Sequence, residues 1–303
     1  MIGLKKVRDL SVVDQQGKEK SLPIAAASAL LRVRDHILVL SDDERQMAIF
    51  EEGSDEPGRL IKVIEGDTPS SSDERADNKP DFECMALLAP FGRFEHGAVL
   101  GLGSGSKPDR DNATLLTLAE DGTPEAGFEA VDLGPLYERL RSDIDDLNIE
   151  GSSVVGDVFR LMQRGNGPRG RNGRVDLDLA AVCTALDDGE PLPGGAVRTI
   201  EFYDLGQMKG VPLCFSDASP LTDGWMAFIA SAEVEGGYVG SSIGVMDGAG
   251  AIVMNEPVDH ALKLEGLSAR VDNDEIHLLM VSDADDPALP SPLMETHLRY
   301  DRS

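Results

Sequence analysis

Short apolar runs recur along the chain, each broken off by a polar, turn-forming cluster. Five of them stand out as strands: HILVLS (36–41), AVLGLG (98–103), VFRLMQ (158–163), MAFIAS (226–231) and IHLLMVS (276–282). Each follows a run of small and apolar residues. A third run comes after four of them, as RQMAIFEE (45–52), ATLLTLAED (113–121), GRVDLDLA (173–180) and SIGVMD (242–247). LIKVIEG, FEAVDLG, TIEFYDLG and IVMNEPV supply a fourth. Alternation of apolar and polar positions is only partial, as expected of strands covered on both faces. EDG, DDG and DGAG mark intervening turns. The period is too long for a solenoid and suits a four-stranded meander repeated around an axis.

The fifth repeat lacks its last strand. After LLMVSDADDPALPSP the chain supplies METHLRY (294–300) and ends, while KKVRDLSVV (5–13) is spare at the N-terminus. Pairing the two would remove the free edges of an open ring. The expectation is an all-β, five-bladed β-propeller of four-stranded antiparallel blades. Residues 1–303 then form one domain, and the N-terminal strand completes the last blade. Three insertions break the repeat. GDTPSSSDERADNKP (66–80) has no apolar period and reads as a mobile loop. Leu136, Tyr137 and Leu140 give residues 134–146 the spacing of a short helix. DLAAVCTALDDG (178–189) reads as a helical turn.

Composition narrows the function classes. The 303 residues are 41% apolar, with 32 Gly and 17 Pro, which suits many strands and turns. A net charge of −27 repels phosphate backbones and anionic membranes, so neither nucleic acid nor membrane is expected as a partner. No run reaches the ~18 apolar residues of a membrane span, and no signal peptide is evident. Three cysteines, Cys84, Cys183 and Cys214, include no CxxC pair and leave one over, which fits a reducing, cytoplasmic compartment. Oligomeric state is not legible.

The candidate chemistry lies in one column of the repeat. Aligned, the segments that open each repeat bring Ser28, Glu83, Glu150, Ser216 and Glu265 together, at intervals of 55, 67, 66 and 49 residues. First strands of propeller blades line the channel, so this column should meet the turns between second and third strands at one mouth. Three inward carboxylates near one axis cannot all stay ionised without a cation or protons. Oxygen ligands alone, with no His or Cys in the column, suit Ca²⁺ rather than zinc. Each Glu would otherwise begin an ordinary strand and accept backbone N–H groups.

The order Ser, Glu, Glu, Ser, Glu, one per blade, resembles the soluble calcium-activated nucleotidases, or apyrases. ASALLRVRDHILVLSDDERQMAIF is similar to that family's first blade, FSDASPLTDGWMAFIASAEVE to its fourth and LKLEGLSA to its last Glu-Gly motif. The chain also resembles a bacterial propeller family related to the phytase-like Glu-Gly propellers. The nucleotidase resemblance implies a five-bladed propeller with an axial Ca²⁺ held by Ser28, Glu83, Glu150, Ser216 and Glu265. The chain departs from it in two places. The Asp-Asp-Arg turn is Asp42, Asp43, Glu44, Arg45, with one residue inserted, and the paired arginines of the third blade become Gln163-Arg164.

On this reading the protein is a Ca²⁺-dependent hydrolase of a phosphorylated or ester small molecule. Asp42 or Asp43 would orient water or act as general base. Arg164, with Arg45, Arg169 and Arg171, would neutralise the substrate. The rival is a non-catalytic propeller in which Ca²⁺ is a structural pin and the mouth binds a small anionic molecule or a partner protein. Turn chemistry alone also accounts for Asp42 and Asp43, and a solvated loop for the arginines. GLGSGSK (101–107) matches no phosphate loop and reads as a Gly-rich turn. His96 is expected in a strand beside Glu95, facing the opposite way.

Overall fold

A computed structural model describes residues 1–13, 21–42, 44–66, 79–234, 237–260, 262–273, 275–283 and 289–299. Five four-stranded antiparallel sheets stand in a ring. Their innermost strands are Ala27–Val33, Phe82–Leu88, Ile149–Val155, Cys214–Pro220 and Lys263–Asp272. Each lies against the innermost strands of its two neighbours, and the fifth lies against the first. These five sheets are the predicted blades, numbered 1 to 5. The outermost strand of blade 5 is Lys5–Asp9, which pairs antiparallel with Pro292–Arg299. Both ends of the chain therefore build one blade, and the ring has no open edge there.

The core consists of five layers, one between each pair of adjacent blades. Ile37 and Val39 pack toward blade 5, whereas Leu38 and Leu40 pack toward blade 2. Successive strand residues point to opposite faces, and here each face meets another blade. Both sets must be apolar, which is why the runs show so little alternation. In blade 5, Leu278 and Met280 face blade 4 while Leu279 and Val281 face blade 1.

Two helices lie over the layer between blades 2 and 3. The first, α1 (Gly134–Arg141), buries Leu136, Tyr137 and Leu140 as their spacing predicts. Tyr137 also donates to the Gly103 carbonyl, 2.7 Å away, which satisfies its buried hydroxyl. The second, α2 (Leu179–Asp188), lies within the helical segment expected at 178–189. The Asp178 carboxylate accepts from the Ala181 N–H at its start, and Gly189 ends it at φ 69°.

Other expectations need correction. KKVRDLSVV is two strands: Ser11–Val13 leaves the blade and pairs with Ser21–Pro23. Glu95 and His96 sit in a turn, not a strand, because Phe94 is buried and bridges to Phe91 just before it. Of the loop expected at 66–80, residues 67–78 lie outside the described residues. All three cysteines are free. Among the described residues, no helix is long and apolar enough to cross a membrane.

Candidate functional site

The same irregularity occurs at the start of every innermost strand. In blade 1, Ala27 pairs with Ser41 and Ala29 with Leu40, so Ser28 has no partner on the next strand. Glu83, Glu150, Ser216 and Glu265 are skipped in the same way in blades 2 to 5. The aligned column is thus a ring of β-bulges. A bulge inserts an extra residue, bends the strand and re-aims a side chain. The ladder resumes one residue later, where space is tight. A Cβ on Gly266 would lie 2.5 Å from the Leu30 nitrogen of blade 1, and one on Gly151 would lie 3.1 Å from the Ala218 nitrogen of blade 4. The Glu-Gly pairs of blades 3 and 5 follow from that approach.

A cavity of about 480 Å³ opens at this end of the ring. Ser28, Glu83, Glu150 and Glu265 line it, together with Asp42, Ser106, Asn166 and Asp283 from the turns between second and third strands. The two predicted sets do meet. Ser216 is not at the cavity; it donates to Ser231 Oγ, 3.0 Å away. Among the described residues, seven carboxylates line the mouth: Asp42, Asp81, Glu83, Asp146, Glu150, Glu265 and Asp283. Four cations, Lys79, Arg110, Arg164 and Lys263, line it too.

These charges form two clusters. In the first, Lys79 Nζ lies 2.5 Å from Asp42 and 2.6 Å from Asp81, and Arg110 lies 2.9 Å from Asp81. Ser104 also donates to Asp81. Burial alone would raise the Asp81 pKa, but Lys79, Ser104 and Arg110 together lower it. Glu83, two residues on, moves the other way. Enclosure by protein raises it well above the usual range, and Glu150, Asp42 and Asp81 add to the rise. One oxygen from each of Asp42, Asp81 and Glu83 lies within 4.8 Å of the others.

In the second cluster Arg164 is central. Its Nη1 donates to Glu150 at 3.0 Å and lies 3.9 Å from Glu265, while Nη2 lies 2.8 Å from Glu233. Lys263 lies 3.0 Å from Glu265, 3.3 Å from Asp283 and 3.6 Å from Glu233. Asn148 donates to the other oxygen of Glu150 at 2.7 Å. Burial raises both Glu150 and Glu265, against the pull of Arg164 and Lys263, and Glu265 reaches about 7.

The other predicted substrate residues do not line the cavity. Arg45 donates to the Glu65 carbonyl. Arg169 is exposed and lies beside Asp145 and Asp146. Arg171 stacks on Phe202, 3.8 Å from the ring centre. Asp43 lies outside the described residues, as do 284–288 after the second strand of blade 5. Spacing reasoning missed Lys79, Asp81, Asn148 and Lys263. Part of the signal was local: where the column holds Glu, the residue two before it is polar, as in Asp81-Phe82-Glu83, Asn148-Ile149-Glu150 and Lys263-Leu264-Glu265.

These features define a five-bladed β-propeller with an acidic, charge-clustered mouth on its axis. The chain belongs to a family of unknown function, DUF6929, whose profile matches residues 23–298. No curated protein matches it. Among solved structures it is similar in fold to the glutaminyl cyclase of Myxococcus xanthus, at 9% identity and a TM-score of 0.52, over 99% of this chain and 98% of that one. An exo-1,5-α-L-arabinanase from a bovine ruminal metagenomic library matches at 8% identity and a TM-score of 0.50, over 94% and 96%.

Proposed function

We propose that the mouth is a binding site for a hard divalent cation, Ca²⁺ in particular, and through it for a small anionic molecule. The observation that carries this is the convergence of Asp42, Asp81 and Glu83, whose oxygens lie within 4.8 Å of one another at a mouth richer in carboxylates than in cations. An oxygen-only donor set fits Ca²⁺. Cations lie against both sets, Lys79 and Arg110 against Asp42 and Asp81 and Arg164 and Lys263 against Glu150 and Glu265. Among the described residues, Glu83 is the carboxylate of the trio with no ion pair to them. Every cationic side chain named at the cavity has a carboxylate partner. Direct capture of a phosphate would have to break these pairs. When bound, Ca²⁺ would supply positive charge and open coordination positions for an anionic oxygen. Titration of the full chain with Ca²⁺ tests the proposal. Saturable binding that is lost in Asp42→Asn and Glu83→Gln supports it, and no binding to the wild type overturns it.

A second reading, hydrolysis of a phosphorylated or ester substrate, is favoured by one pair. Burial raises the Glu83 pKa, whereas Lys79, Ser104 and Arg110 lower that of Asp81 two residues before it. Carboxyls driven apart in this way can serve as acid and base. Asp42, 22% exposed at its side chain, is the one placed to meet a water. Calcium-dependent release of phosphate or acid from a substrate panel, lost in Glu83→Gln, supports this reading. Turnover by none of them leaves the binding site alone.

A further inference from the structure

A third cluster, Glu275, His277 and His297, lies at the other end of blade 5. Glu275 and Asp283 are the two ends of one nine-residue strand, so about 26 Å separates the cluster from the mouth. His277 on this strand stands directly opposite His297 on the next, with ring centres 4.2 Å apart. Directly opposed residues share a face of the sheet, and so do Glu275 and His277, two positions apart. Glu275 Oε2 lies 3.7 Å from His277 Nε2 and 3.8 Å from His297 Nδ1.

We propose that Glu275, His277 and His297 form a site for a late first-row divalent ion, Zn²⁺ foremost. Two imidazoles and one carboxylate are a donor set that zinc accepts, at about 2.0–2.1 Å per ligand. Tetrahedral geometry at those lengths places donor atoms about 3.4 Å apart. The donors here all lie within 4.8 Å of one another. Side-chain torsions alone can close the difference, since Glu275 and His297 are half exposed and His277 is 22% exposed. The fourth position faces solvent and would keep a water. Arg270, opposite His277, and Arg299, opposite Glu275, are exposed charges at the edge of the site.

The placement gives the ion a structural consequence. It would tie the second strand of blade 5 to the third, and that third strand carries the N-terminal strand. An ion bound only by the folded ring raises its apparent stability. The site is independent of the acidic mouth: its donors are nitrogen-rich, whereas the mouth offers oxygen.

The test is titration of the untagged full chain with Zn²⁺ under excess Ca²⁺, which occupies oxygen-only sites. Co²⁺ absorption serves as a second readout of low coordination number. One saturable equivalent is expected in the wild type and in Glu83→Gln and His260→Ala. Binding should vanish in His297→Ala and in His277→Gln, and weaken at least tenfold in Glu275→Gln. The melting temperature should rise with Zn²⁺ in the wild type and not in His297→Ala. Zinc uptake that persists in both histidine variants, or is absent from the wild type, overturns the proposal.

Discussion

Arg164 Nη1 donates to Glu150 Oε2 across 3.0 Å, and both side chains are about 95% removed from solvent. They sit at facing ends of adjacent strands: Glu150 is the bulge residue of blade 3, and Arg164 follows the end of the second strand. The same guanidinium reaches Glu233 of blade 4 and approaches Glu265 of blade 5. One cation thereby ties three blades at the axis.

Arg164→Met should be strongly destabilising. Breaking a buried pair from one side leaves an uncompensated charge and costs about 3–5 kcal/mol. Urea denaturation at pH 8 should show that loss. At pH 5 the loss should shrink, because Glu265, at about 7, takes up a proton instead. An equal loss at both pH values would disconnect Arg164 from these carboxylates.

Lys79 and a bound cation compete for the same oxygens. Its ammonium lies against Asp42 and Asp81, the two carboxylates proposed to hold Ca²⁺ with Glu83. Lys79→Gln removes the competitor and should tighten Ca²⁺ binding about tenfold, equivalent to about 1.4 kcal/mol. Calorimetric titration of both proteins reads this directly. Weaker binding in the variant would mean that Lys79 supports the site.

Stability should fall as pH rises through the neutral range. The folded pKa of Glu265, at about 7, exceeds its ordinary value of 4.5. Between these values the native state holds a proton that the unfolded state has released. This contribution is complete below about 4.5 and gone above about 7, and is worth at most about 3 kcal/mol. Glu83 and Glu150 are raised too and add in the same direction. Melting temperatures measured from pH 5 to pH 8 should decline, and less steeply in Glu265→Gln. Because metal ligands must be deprotonated and the Glu83 pKa is raised, Ca²⁺ affinity should rise with pH.

Gly266→Ala should destabilise by about 1–3 kcal/mol, the range for overpacking. Its Cβ would fall 2.5 Å from backbone of the neighbouring blade. Gly195→Ala is the control, since nothing among the described residues lies within 4 Å of a Cβ there. Thermal melts of the two should separate clearly. Equal midpoints would mean that the inner strands pack more loosely than described.

The blades were legible because strand signals are local. HILVLS, AVLGLG and VFRLMQ are strands His36–Ser41, Ala98–Gly103 and Val158–Gln163. The column was legible because its residues recur at the same point of each repeat. The cations among the carboxylates were not. Arg164 meets Glu233 across a blade boundary, and Lys79 reaches back to Asp42 over 37 residues. No spacing rule sets the direction of a long side chain that bridges separate strands. Arg171 illustrates the converse: it looks like part of a basic patch in sequence, yet Phe202 holds it away from the cavity. His96 was misplaced because Phe94 has the apolar character of a strand but anchors a turn that ends at Gly97, φ 88°.

The ring of bulges has a consequence for how such a mouth can diversify. Each bulge residue is the one member of its innermost strand that the next strand skips. Exchanging Ser for Glu there, or the reverse, disturbs no rung of any sheet. Scaffold and chemistry are thus written at separate positions, and the four bulge residues that line the mouth could be exchanged to retune it while the ladders of the blades around it stay the same.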